Sequence, residues 1–440
     1  MKRMVEHELI DWKRSPRRKP LIIRGARQVG KTWLVENVLA SQFDSFVKID
    51  LEKRKDLHVH FSGNLDCRII LNHMELATKR IISGETLLFF DEIQACPRAI
   101  TALRYFYEEM PELHVVAAGS LLEFAFGEIS IPVGLVQYLH LHPMTFYEYL
   151  LAIGREPMAD YSIKPPADIS QSIQQMILKE LRNYFFIGGM PESVKTWRDS
   201  GSMIETFQVQ SEILDSYRDD FSKYKPHIDT TCLDAVFLNV AKSVGDQLKY
   251  TRLNAGHSGQ MNRKAFDLLT KARIIHKIPD CDPSGLPLAA TANQKKFKAS
   301  ILDIGLMQRI SQVPVEMELQ QHKLLAMYRG KLAEQFVAQE LLAWHSSELF
   351  YWARDARGSN AEVDYLVVKG GAIYPVEVKS GASGSLRSLH LMLEAYPNCP
   401  YGLVLYDGAY RKRSEQKLLF LPLYAVATIG DKRIASFPVG

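Results

Sequence analysis

A glycine-rich loop between a short apolar run and an amphipathic stretch constrains this chain more than any other feature. Residues 25–32 read GARQVGKT, a full match to GxxxxGK[ST], and they follow LIIR and lead into TWLVENVLA. Glycines let successive backbone N–H groups turn inward around phosphate oxygens, and the start of a helix adds partial positive charge. The strand-and-helix context favours a nucleotide-binding loop over a chance turn. The sequence therefore predicts a nucleoside triphosphate site in the first third of the chain.

The positions of this loop have separate expected roles. We expect the Lys31 ammonium to reach the β- and γ-phosphates of ATP and the Thr32 hydroxyl to bind Mg²⁺. Ser120 follows the later apolar run VVAAG and would sense the γ-phosphate, although a turn or helix-capping serine is the alternative. The residues expected to contact the nucleotide are Gly25, Ala26, Arg27, Gln28, Val29, Gly30, Lys31, Thr32, Trp33 and Ser120.

Two acids follow another long apolar run. The segment TLLFFDEIQ places Asp91 and Glu92 at the end of a candidate strand. In an open α/β sheet, ligands collect at the carboxyl ends of the strands. We therefore expect Asp91 to hold Mg²⁺ through water and Glu92 to orient or deprotonate the attacking water. Spacing does not decide which arginine serves as a finger on the γ-phosphate, and the candidates are Arg98, Arg104 and Arg218.

A second group of charges interrupts apolar β-runs near the C-terminus. Asp364 lies in AEVDYLVV, and Glu377 and Lys379 lie in AIYPVEVKS. The spacing is that of a hairpin, and the side-chain period of two puts Glu377 and Lys379 on one face. Such carboxylates can bind Mg²⁺ or Mn²⁺, and the lysine can position a water that attacks a phosphodiester. Glu334, from an upstream helix, is a candidate for a further ligand or an orienting acid. The alternative is a buried Glu–Lys ion pair that supports a binding domain.

The order of apolar runs predicts an α/β fold in four parts. Short apolar runs alternate with amphipathic stretches in the first third, as in a parallel sheet covered by helices. The candidate strands there are residues 21–24, 46–50, 86–91, 114–118 and 136–141. The expected parts are a P-loop core at 1–155, a helical part at 156–230, a winged-helix-like part at 231–325 and an α/β part at 326–440. In the third part, Asn262, Arg263 and Lys264 would lead the recognition helix of a winged-helix-like domain. Because many such domains serve protein contacts, we favour that role over the reading of base edges.

Composition narrows the class of protein. Lysine and arginine number 54 and aspartate and glutamate 50, so the net charge of +4 excludes a polybasic binder but allows a local basic groove. The five cysteines form no CxxC pair, which favours free thiols in a reducing compartment. A charged N-terminal segment and the lack of any run near the roughly 18 apolar residues of a membrane span predict a cytoplasmic protein with no membrane partner.

Taken together, the motifs resemble one family. GARQVGKT, FFDEIQ, AAGSLLE, HPMTFYEYL, IGGMPESV, GKLAEQFV, EVDYLV and YPVEVKSG occur in one order over residues 1–425. They are similar to the prokaryotic AAA-type P-loop ATPases whose C-terminal half is a domain of unknown function with a restriction-endonuclease-like, PD-(D/E)xK core. The resemblance implies an AAA+ core with a helical lid, a winged-helix-like middle domain and a nuclease-like end.

The resemblance also implies roles for the motif residues. It assigns the Walker A loop at 25–32 to the ATP phosphates and the Walker B pair Asp91–Glu92 to magnesium and hydrolysis. The nuclease motif falls on Asp364, Glu377 and Lys379, with Glu334 as its helical acid.

These assignments lead to one expected activity and two alternatives. We expect a Mg²⁺-dependent ATPase whose nucleotide state repositions a C-terminal domain that is nuclease-like or binds nucleic acid, with DNA or RNA as a candidate partner. One alternative is a nucleotide-gated protein that clasps a protein partner without cutting, and the other is a metal-dependent nuclease with a regulatory ATPase. AAA-type ATPases often work as oligomers, so the resemblance also admits a homo-oligomer.

Overall fold

The structure is a computed structural model that describes residues 1–120, 122, 134–164, 169–221, 228–311, 326–345, 348–356, 359–379 and 386–430. The chain divides into two units. Residues 2–142 with 271–273 form the N-terminal unit, and Met1, residues 143–270 and residues 274–440 form the C-terminal unit.

The N-terminal unit is built on a five-stranded parallel sheet. Its strands are β1 (Leu21–Arg24), β2 (Ser45–Asp50), β3 (Thr86–Asp91), β4 (His114–Gly119) and β5 (Gln137–His140). They lie in the order β2-β3-β4-β1-β5, and each neighbouring pair is parallel. Strands β3 and β4 are buried along their whole length, as expected for strands covered on both faces. The five predicted strands are confirmed, and their ends shift by at most one residue.

Four helices connect or flank these strands in the described part of the unit. They are α1 (Glu6–Arg14), α2 (Lys31–Leu34), α3 (Cys67–Ala77) and α4 (Pro97–Glu109). Helix α2 continues as a π-helical turn over Val35–Leu39. The Asp66 carboxylate accepts hydrogen bonds from the first free N–H groups of α3. Pro97 is the first residue of α4, a position at which a backbone N–H would have no acceptor within the helix. The sequence thus sets where the helices that cover the sheet begin.

The described residues between 143 and 311 are mainly helical. Its helices are α5 (Phe146–Ala152), α6 (Glu156–Ser162), α7 (Gln171–Ile187), α8 (Pro191–Ser200), α9 (Met203–Phe221), α10 (Thr230–Lys242), α11 (Tyr250–Leu253), α12 (Gly259–Lys271) and α13 (Ile304–Ile310). Thr145 and Glu148 form a capping box at the start of α5, in which each side chain accepts the other's backbone N–H.

An eight-stranded mixed sheet organises the C-terminal unit. Its strands are β6 (Ile275–Asp280), β7 (Asn293–Ile301), β8 (Phe350–Ala356), β9 (Ser359–Lys369), β10 (Ala372–Val378), β11 (Gly402–Tyr406), β12 (Arg411–Arg413) and β13 (Leu418–Pro422). They lie in the order β12-β13-β11-β10-β9-β8-β6-β7. Strands β8, β9 and β10 form an antiparallel meander, and β11 runs parallel to β10. The β6–β7 hairpin joins this meander through the pairing of Asp280 with Tyr351.

Three helices accompany this sheet among the described residues. They are α14 (Ala326–His345), α15 (Arg387–Ala395) and α16 (Val426–Gly430). Helix α14 precedes the meander, and α15 lies between β10 and β11 in the chain. Every helix in the described ranges is too short or too polar to cross a bilayer.

A buried polar network holds α14 against earlier parts of the same unit. The Glu340 carboxylate accepts from the Phe146 amide at 2.8 Å and from Trp344 Nε1 at 3.0 Å. Asp303 accepts from the Gly189 amide at 2.6 Å. Burial raises the pKa of Glu340 to about 8 and that of Asp303 to about 6. The HPMTFYEYL and IGGMPESV segments therefore supply backbone donors to buried acids.

Candidate functional site

The phosphate loop lies at the carboxyl end of β1 and runs into α2. Gly30 has φ +96°, in the left-handed region that glycine adopts without steric cost, and Gln28 also has a positive φ of 63°. Lys31 opens α2 and is 7 % exposed. Its Nζ donates to the carbonyls of Gly25 at 3.0 Å and Ala26 at 2.7 Å. The lysine ammonium therefore lies inside the loop, where the sequence predicts a phosphate-binding charge.

A buried arginine near the N-terminus ties this loop to the end of the sheet. Arg3 Nη1 donates to the Val29 carbonyl at 3.0 Å, and Nη2 donates to the His142 carbonyl at 2.6 Å. Arg3 is 8 % exposed, so both bonds are largely shielded from water. Sequence reasoning missed Arg3, because no motif links it to a loop 26 residues away.

Asp91 ends β3 within hydrogen-bond distance of the first turn of α2. The Thr32 hydroxyl lies 3.2 Å from Oδ1 and 3.1 Å from Oδ2 of Asp91. Lys48 on β2 forms ion pairs with Asp91 Oδ2 at 2.9 Å and with Glu36 Oε1 at 2.8 Å. Burial alone would lower the pKa of Lys48, but the bonds to Glu36 and Asp91 outweigh it and raise that pKa. The two predicted magnesium residues are thus together, beside a lysine that no motif revealed.

Glu92 follows Asp91 in an uncommon backbone conformation. Its φ of +48° and ψ of +46° lie in the left-handed region, which costs a non-glycine residue roughly 1–2 kcal/mol. Gln94 Nε2 donates to Glu92 Oε2 at 2.5 Å. Gln94 in turn packs on Gly119 at the end of β4, where an added Cβ would lie 2.1 Å from Gln94 Oε1. Gln94 therefore orients Glu92, a role the sequence analysis did not assign.

Ser120 follows β4, which is the strand between the phosphate loop and the acid pair. Gly119 pairs with Arg24 at the end of β1, and the other neighbour of β4 is β3, which ends at Asp91. Ser120 is 7 % exposed. Since parallel strands end at the same edge of a sheet, the topology is compatible with a γ-phosphate sensor at Ser120. This role stays a prediction.

The remaining predicted nucleotide contacts differ in exposure. Trp33 is 41 % exposed on the first turn of α2. The side chains of Ala26 and Val29 are buried, so these two residues would offer a nucleotide only their backbone. The direct contact of each with ATP stays a prediction.

The three candidate arginine fingers are exposed, and each has a partner in its own unit. Arg104 Nε pairs with Glu108 Oε1 at 2.9 Å, and Arg218 Nε pairs with Asp234 Oδ1 at 2.9 Å. Arg98 Nη2 donates to a backbone carbonyl at 2.8 Å. These contacts do not single out one finger, so the choice stays open.

The C-terminal acids and lysine that the sequence singled out come together on adjacent strands. Asp364 on β9 lies beside β10, since its Oδ2 accepts from the Val378 amide at 2.8 Å. Lys379 Nζ lies 2.6 Å from Glu377 Oε1, so the predicted same-face pair forms an ion pair.

A lysine that the sequence analysis did not single out lies among these acids. Lys298 on β7 has a side chain that is 2 % exposed. Its Nζ lies 2.5 Å from Glu362 Oε1, 3.3 Å from Asp364 Oδ1 and 3.6 Å from Glu334 Oε2. Burial would lower the pKa of Lys298, but these carboxylates outweigh it and raise that pKa well above its ordinary value. Lys298 precedes Asp364 by 66 residues, and no spacing rule connects them.

The acid cluster carries a negative formal charge. It consists of Glu334, Glu362, Asp364, Glu377, Lys298 and Lys379. Four carboxylates and two lysines give a formal charge of −2. Burial, followed by repulsion from Asp364, raises the pKa of both Glu334 and Glu377. One buried oxygen of each, Oε2, has no hydrogen-bond partner in the described part of the chain.

The carboxylate oxygens of this cluster are of the type that a divalent cation takes. Mg²⁺ and Mn²⁺ prefer carboxylate oxygens, and one such ion would offset the formal charge of −2 that the cluster has when all four acids are ionised. Within the described ranges, however, no three His, Cys, Asp or Glu side chains are already arranged to hold a metal ion. The Lys298 ammonium lies between the carboxylates of Asp364, Glu334 and Glu362.

The candidate base-reading helix, α12, needs one correction. Asn262 is fully buried, and its Nδ2 donates to the carbonyls of Tyr250 and Asn254 at 2.9 Å each. It therefore joins α11 to α12 and cannot reach a base. Arg263 and Lys264 are exposed on the same helix.

Three family models match successive parts of the chain. Residues 17–150 match an AAA domain (AAA_14), residues 178–316 match a domain of unknown function (DUF8612), and residues 329–426 match another (DUF4143). The chain thus carries an AAA-type P-loop ATPase domain followed by two domains of unknown function, which confirms the first part of the predicted fold. No curated protein matches the chain.

Solved structures share a low level of similarity with this chain. The Walker-type ATPase PABY2304 of Pyrococcus abyssi is 14 % identical with a TM-score of 0.45, and the match covers 70 % of this chain and 95 % of that one. The Thermotoga maritima RuvB Holliday junction branch migration motor is 17 % identical with a TM-score of 0.29, over 62 % and 89 % of the two chains. PCH-2 of C. elegans is 12 % identical with a TM-score of 0.27, over 45 % and 62 %.

Proposed function

We propose that this protein binds and hydrolyses ATP with Mg²⁺ in its N-terminal unit, and that the nucleotide state controls a nuclease-like site in its C-terminal unit. The main support for ATP binding and hydrolysis is the contact between Thr32 and Asp91 beside the buried Lys31. The Thr32 hydroxyl lies 3.1 Å from Asp91 Oδ2. Together with the AAA-domain match at residues 17–150, it supports a triphosphate site with a metal-binding edge.

The residues at this edge fit magnesium and a water nucleophile. Mg²⁺ would be held by the oxygens of Thr32 and Asp91, and when bound it offsets the charge on the β- and γ-phosphates. Lys31 binds the same phosphates. Because Gln94 occupies Oε2 of Glu92, the other oxygen, Oε1, orients the attacking water and accepts its proton.

Two variants test this assignment. Lys31→Ala removes the phosphate-binding charge and should abolish ATP binding in calorimetry. Glu92→Gln should keep ATP binding but lower the rate of phosphate release by about 10²–10⁴-fold, the usual contribution of a general base. Undiminished hydrolysis in both variants would overturn the assignment.

For the C-terminal site, we propose metal-dependent cleavage of DNA or RNA. The order α14, β8, β9, β10, α15, β11, with acids on β9, β10 and α14, supports a restriction-endonuclease-like core. Lys379 is 24 % exposed and lies 2.6 Å from Glu377, where it can position a water near a bound phosphodiester.

A clasp that binds a partner without cutting is the second candidate. The buried Lys298, which already neutralises part of the acid cluster, favours it. Incubation with Mn²⁺ and assorted DNA and RNA, beside Asp364→Ala, separates the two candidates. Cleavage that is lost in the variant supports the nuclease, whereas no cleavage of any substrate by the parent protein supports the clasp.

The middle of the chain supports a winged-helix-like domain as a further part of the proposal. Helices α10, α11 and α12 precede the β6–β7 hairpin, and Leu248 forms an isolated antiparallel β-bridge with Phe297. The exposed Arg263 and Lys264 on α12 suit nucleic-acid phosphates or an acidic protein surface. Lowering the charge at both positions should weaken salt-dependent DNA or RNA binding if nucleic acid is the partner, and leave it unchanged if a protein is.

A further inference from the structure

Lys298 is a second lysine in the acid cluster, and it reaches the cluster from a different part of the chain. It lies on β7, within the region that matches one domain of unknown function at 178–316, whereas the four acids lie within the other at 329–426. At 2 % exposure it cannot contact a bound nucleic acid, in contrast to Lys379 at 24 %. Its role must therefore be exerted on the carboxylates themselves.

The strand that carries Lys298 is fixed to the sheet and to α14. The Ile301 amide donates to Gln335 Oε1 at 2.9 Å, and Gln335 Nε2 donates back to the Ile301 carbonyl at 2.6 Å. Asp280, on the paired strand β6, accepts from the Ala353 amide at 2.9 Å. Because β7 is held at these points, Lys298 remains beside the acids while only its flexible stem can shift.

The three carboxylates around Lys298 do not share it equally. Its Nζ lies closest to Glu362, at 2.5 Å, and farther from Asp364 and Glu334, at 3.3 and 3.6 Å. Glu362 is oriented by Gln247, whose Nε2 donates to Glu362 Oε2 at 2.7 Å. Glu362 thus draws the ammonium toward the more exposed side of the cluster.

A second observation indicates that the cluster has capacity for another cation. The Glu377 side chain is 9 % exposed, and its Oε2 has no hydrogen-bond partner in the described part of the chain. A buried carboxylate oxygen without a donor is costly.

We propose that the Lys298 ammonium competes with a divalent metal ion for the carboxylates of Asp364 and Glu334. Glu362 favours metal binding, because it attracts Lys298 away from these two carboxylates. This inference rests on the proposed metal site of the C-terminal unit. Lys298 is then an affinity-determining residue. It lets the cluster stay buried without metal and keeps metal affinity low.

Manganese binding to the whole 440-residue chain without nucleotide tests this role. The background variant Asp91→Asn removes the carboxylate of the other candidate metal site, and free Mn²⁺ is followed by electron paramagnetic resonance. Lys298→Met keeps the length and apolar stem of the side chain without its charge, and we expect it to tighten Mn²⁺ binding about tenfold or more. Glu362→Gln should weaken binding, because Lys298 then turns to Asp364 and Glu334.

Lys295→Met is the matched control, since Lys295 is exposed on the same strand, and it should leave Mn²⁺ affinity unchanged. Equal or weaker Mn²⁺ binding by Lys298→Met than by the background protein overturns the proposal. If Lys298→Met does not fold, unchanged or tighter binding by Glu362→Gln overturns it instead.

Asp364→Asn separates this inference from the proposed metal site. If Lys298→Met binds Mn²⁺ tightly and adding Asp364→Asn abolishes that binding, both are supported. If Asp364→Asn abolishes binding in the background protein but Lys298→Met changes nothing, the metal site stands and the role of Lys298 is wrong. If Asp364→Asn has no effect on binding in either protein, the metal site itself is wrong, and the inference fails with it.

Discussion

The hydroxyl of Thr32 lies 3.2 and 3.1 Å from the two carboxylate oxygens of Asp91, although 59 residues separate them in the chain. This contact arises because the phosphate loop follows β1 and Asp91 ends β3, and both strands end at the same edge of the parallel sheet. Two residues with oxygens that can bind a metal ion are therefore adjacent. Lys48 forms an ion pair with the Asp91 carboxylate, so the lysine ammonium already offsets the negative charge of Asp91.

Lys48→Met should lower the Mg²⁺ concentration needed for half-maximal ATP hydrolysis. Without the lysine, Asp91 loses a competing cation at 2.9 Å, so the metal no longer has to displace an ion pair. We expect a shift of about two- to fivefold, since the pair is partly exposed and screened. A magnesium titration of phosphate release at saturating ATP measures it.

Lys53→Met is the control for Lys48→Met, because Lys53 is 83 % exposed and lies 3.6 Å from Asp50. It should leave the magnesium dependence unchanged. A higher magnesium requirement in Lys48→Met would show that Lys48 supports the metal site.

Gln94→Ala should lower kcat for ATP about tenfold and leave the Kd for ATP unchanged. The substitution removes the 2.5 Å hydrogen bond that holds Glu92 Oε2, so the base loses its orientation but not its charge. Phosphate release and nucleotide calorimetry measure the two quantities separately. In the Glu92→Gln background the same substitution should have little further effect on kcat, whereas an additive loss would mean that Gln94 acts independently of Glu92.

Sequence alone predicted the elements whose signals are local. The β1–loop–α2 unit, the acid pair at Asp91 and the helix that contains Glu334 depend on apolar period and on residues close in the chain. The pairing of Glu377 with Lys379 follows likewise from the alternation of side chains along one strand.

The residues that sequence missed act across long separations. Lys48 reaches Asp91 from a neighbouring strand, and Lys298 reaches Asp364 across 66 residues because the β6–β7 hairpin joins a sheet formed later in the chain. The residues next to a lysine on a strand do not show whether its side chain faces solvent or a buried acid. Asn262 is the reverse case, since a polar residue at the start of a helix lies in the interior and bonds to backbone.

Arg3→Ala should weaken ATP binding about tenfold without altering the catalytic residues. Arg3 donates to the Val29 carbonyl at 3.0 Å and to the His142 carbonyl at 2.6 Å, so its loss frees one side of the phosphate loop. Charged hydrogen bonds of this kind contribute roughly 1.5–3 kcal/mol each, part of which preorganises the loop. Calorimetry with Mg²⁺ and ATP measures the change in Kd.

Arg17→Ala serves as the control for Arg3→Ala, since Arg17 is exposed in the same N-terminal segment. It should bind ATP like the parent protein. An unchanged Kd in Arg3→Ala would show that the loop holds its conformation without this arginine.

The buried acid Glu340 should make the C-terminal unit less stable as pH rises. Its pKa is raised by burial from 4.5 to about 8, so the folded state binds more protons than the unfolded state between these values. The free energy of unfolding therefore falls with rising pH in this window, by roughly 1 kcal/mol for each pH unit from this group. The contribution is fully present below pH 4.5 and is lost as pH passes about 8.

Glu340→Gln tests the pH effect through the slope of stability against pH. Phe146 and Trp344 donate to different oxygens of Glu340, and glutamine has an acceptor oxygen at only one of these two positions. The variant therefore starts from a lower free energy of unfolding at pH 5.5. Because glutamine does not titrate, its stability should vary less with pH, and the gap to the parent protein should narrow toward pH 8. Urea denaturation followed by circular dichroism at several pH values measures both curves, and parallel curves would show that Glu340 stays ionised in the folded protein.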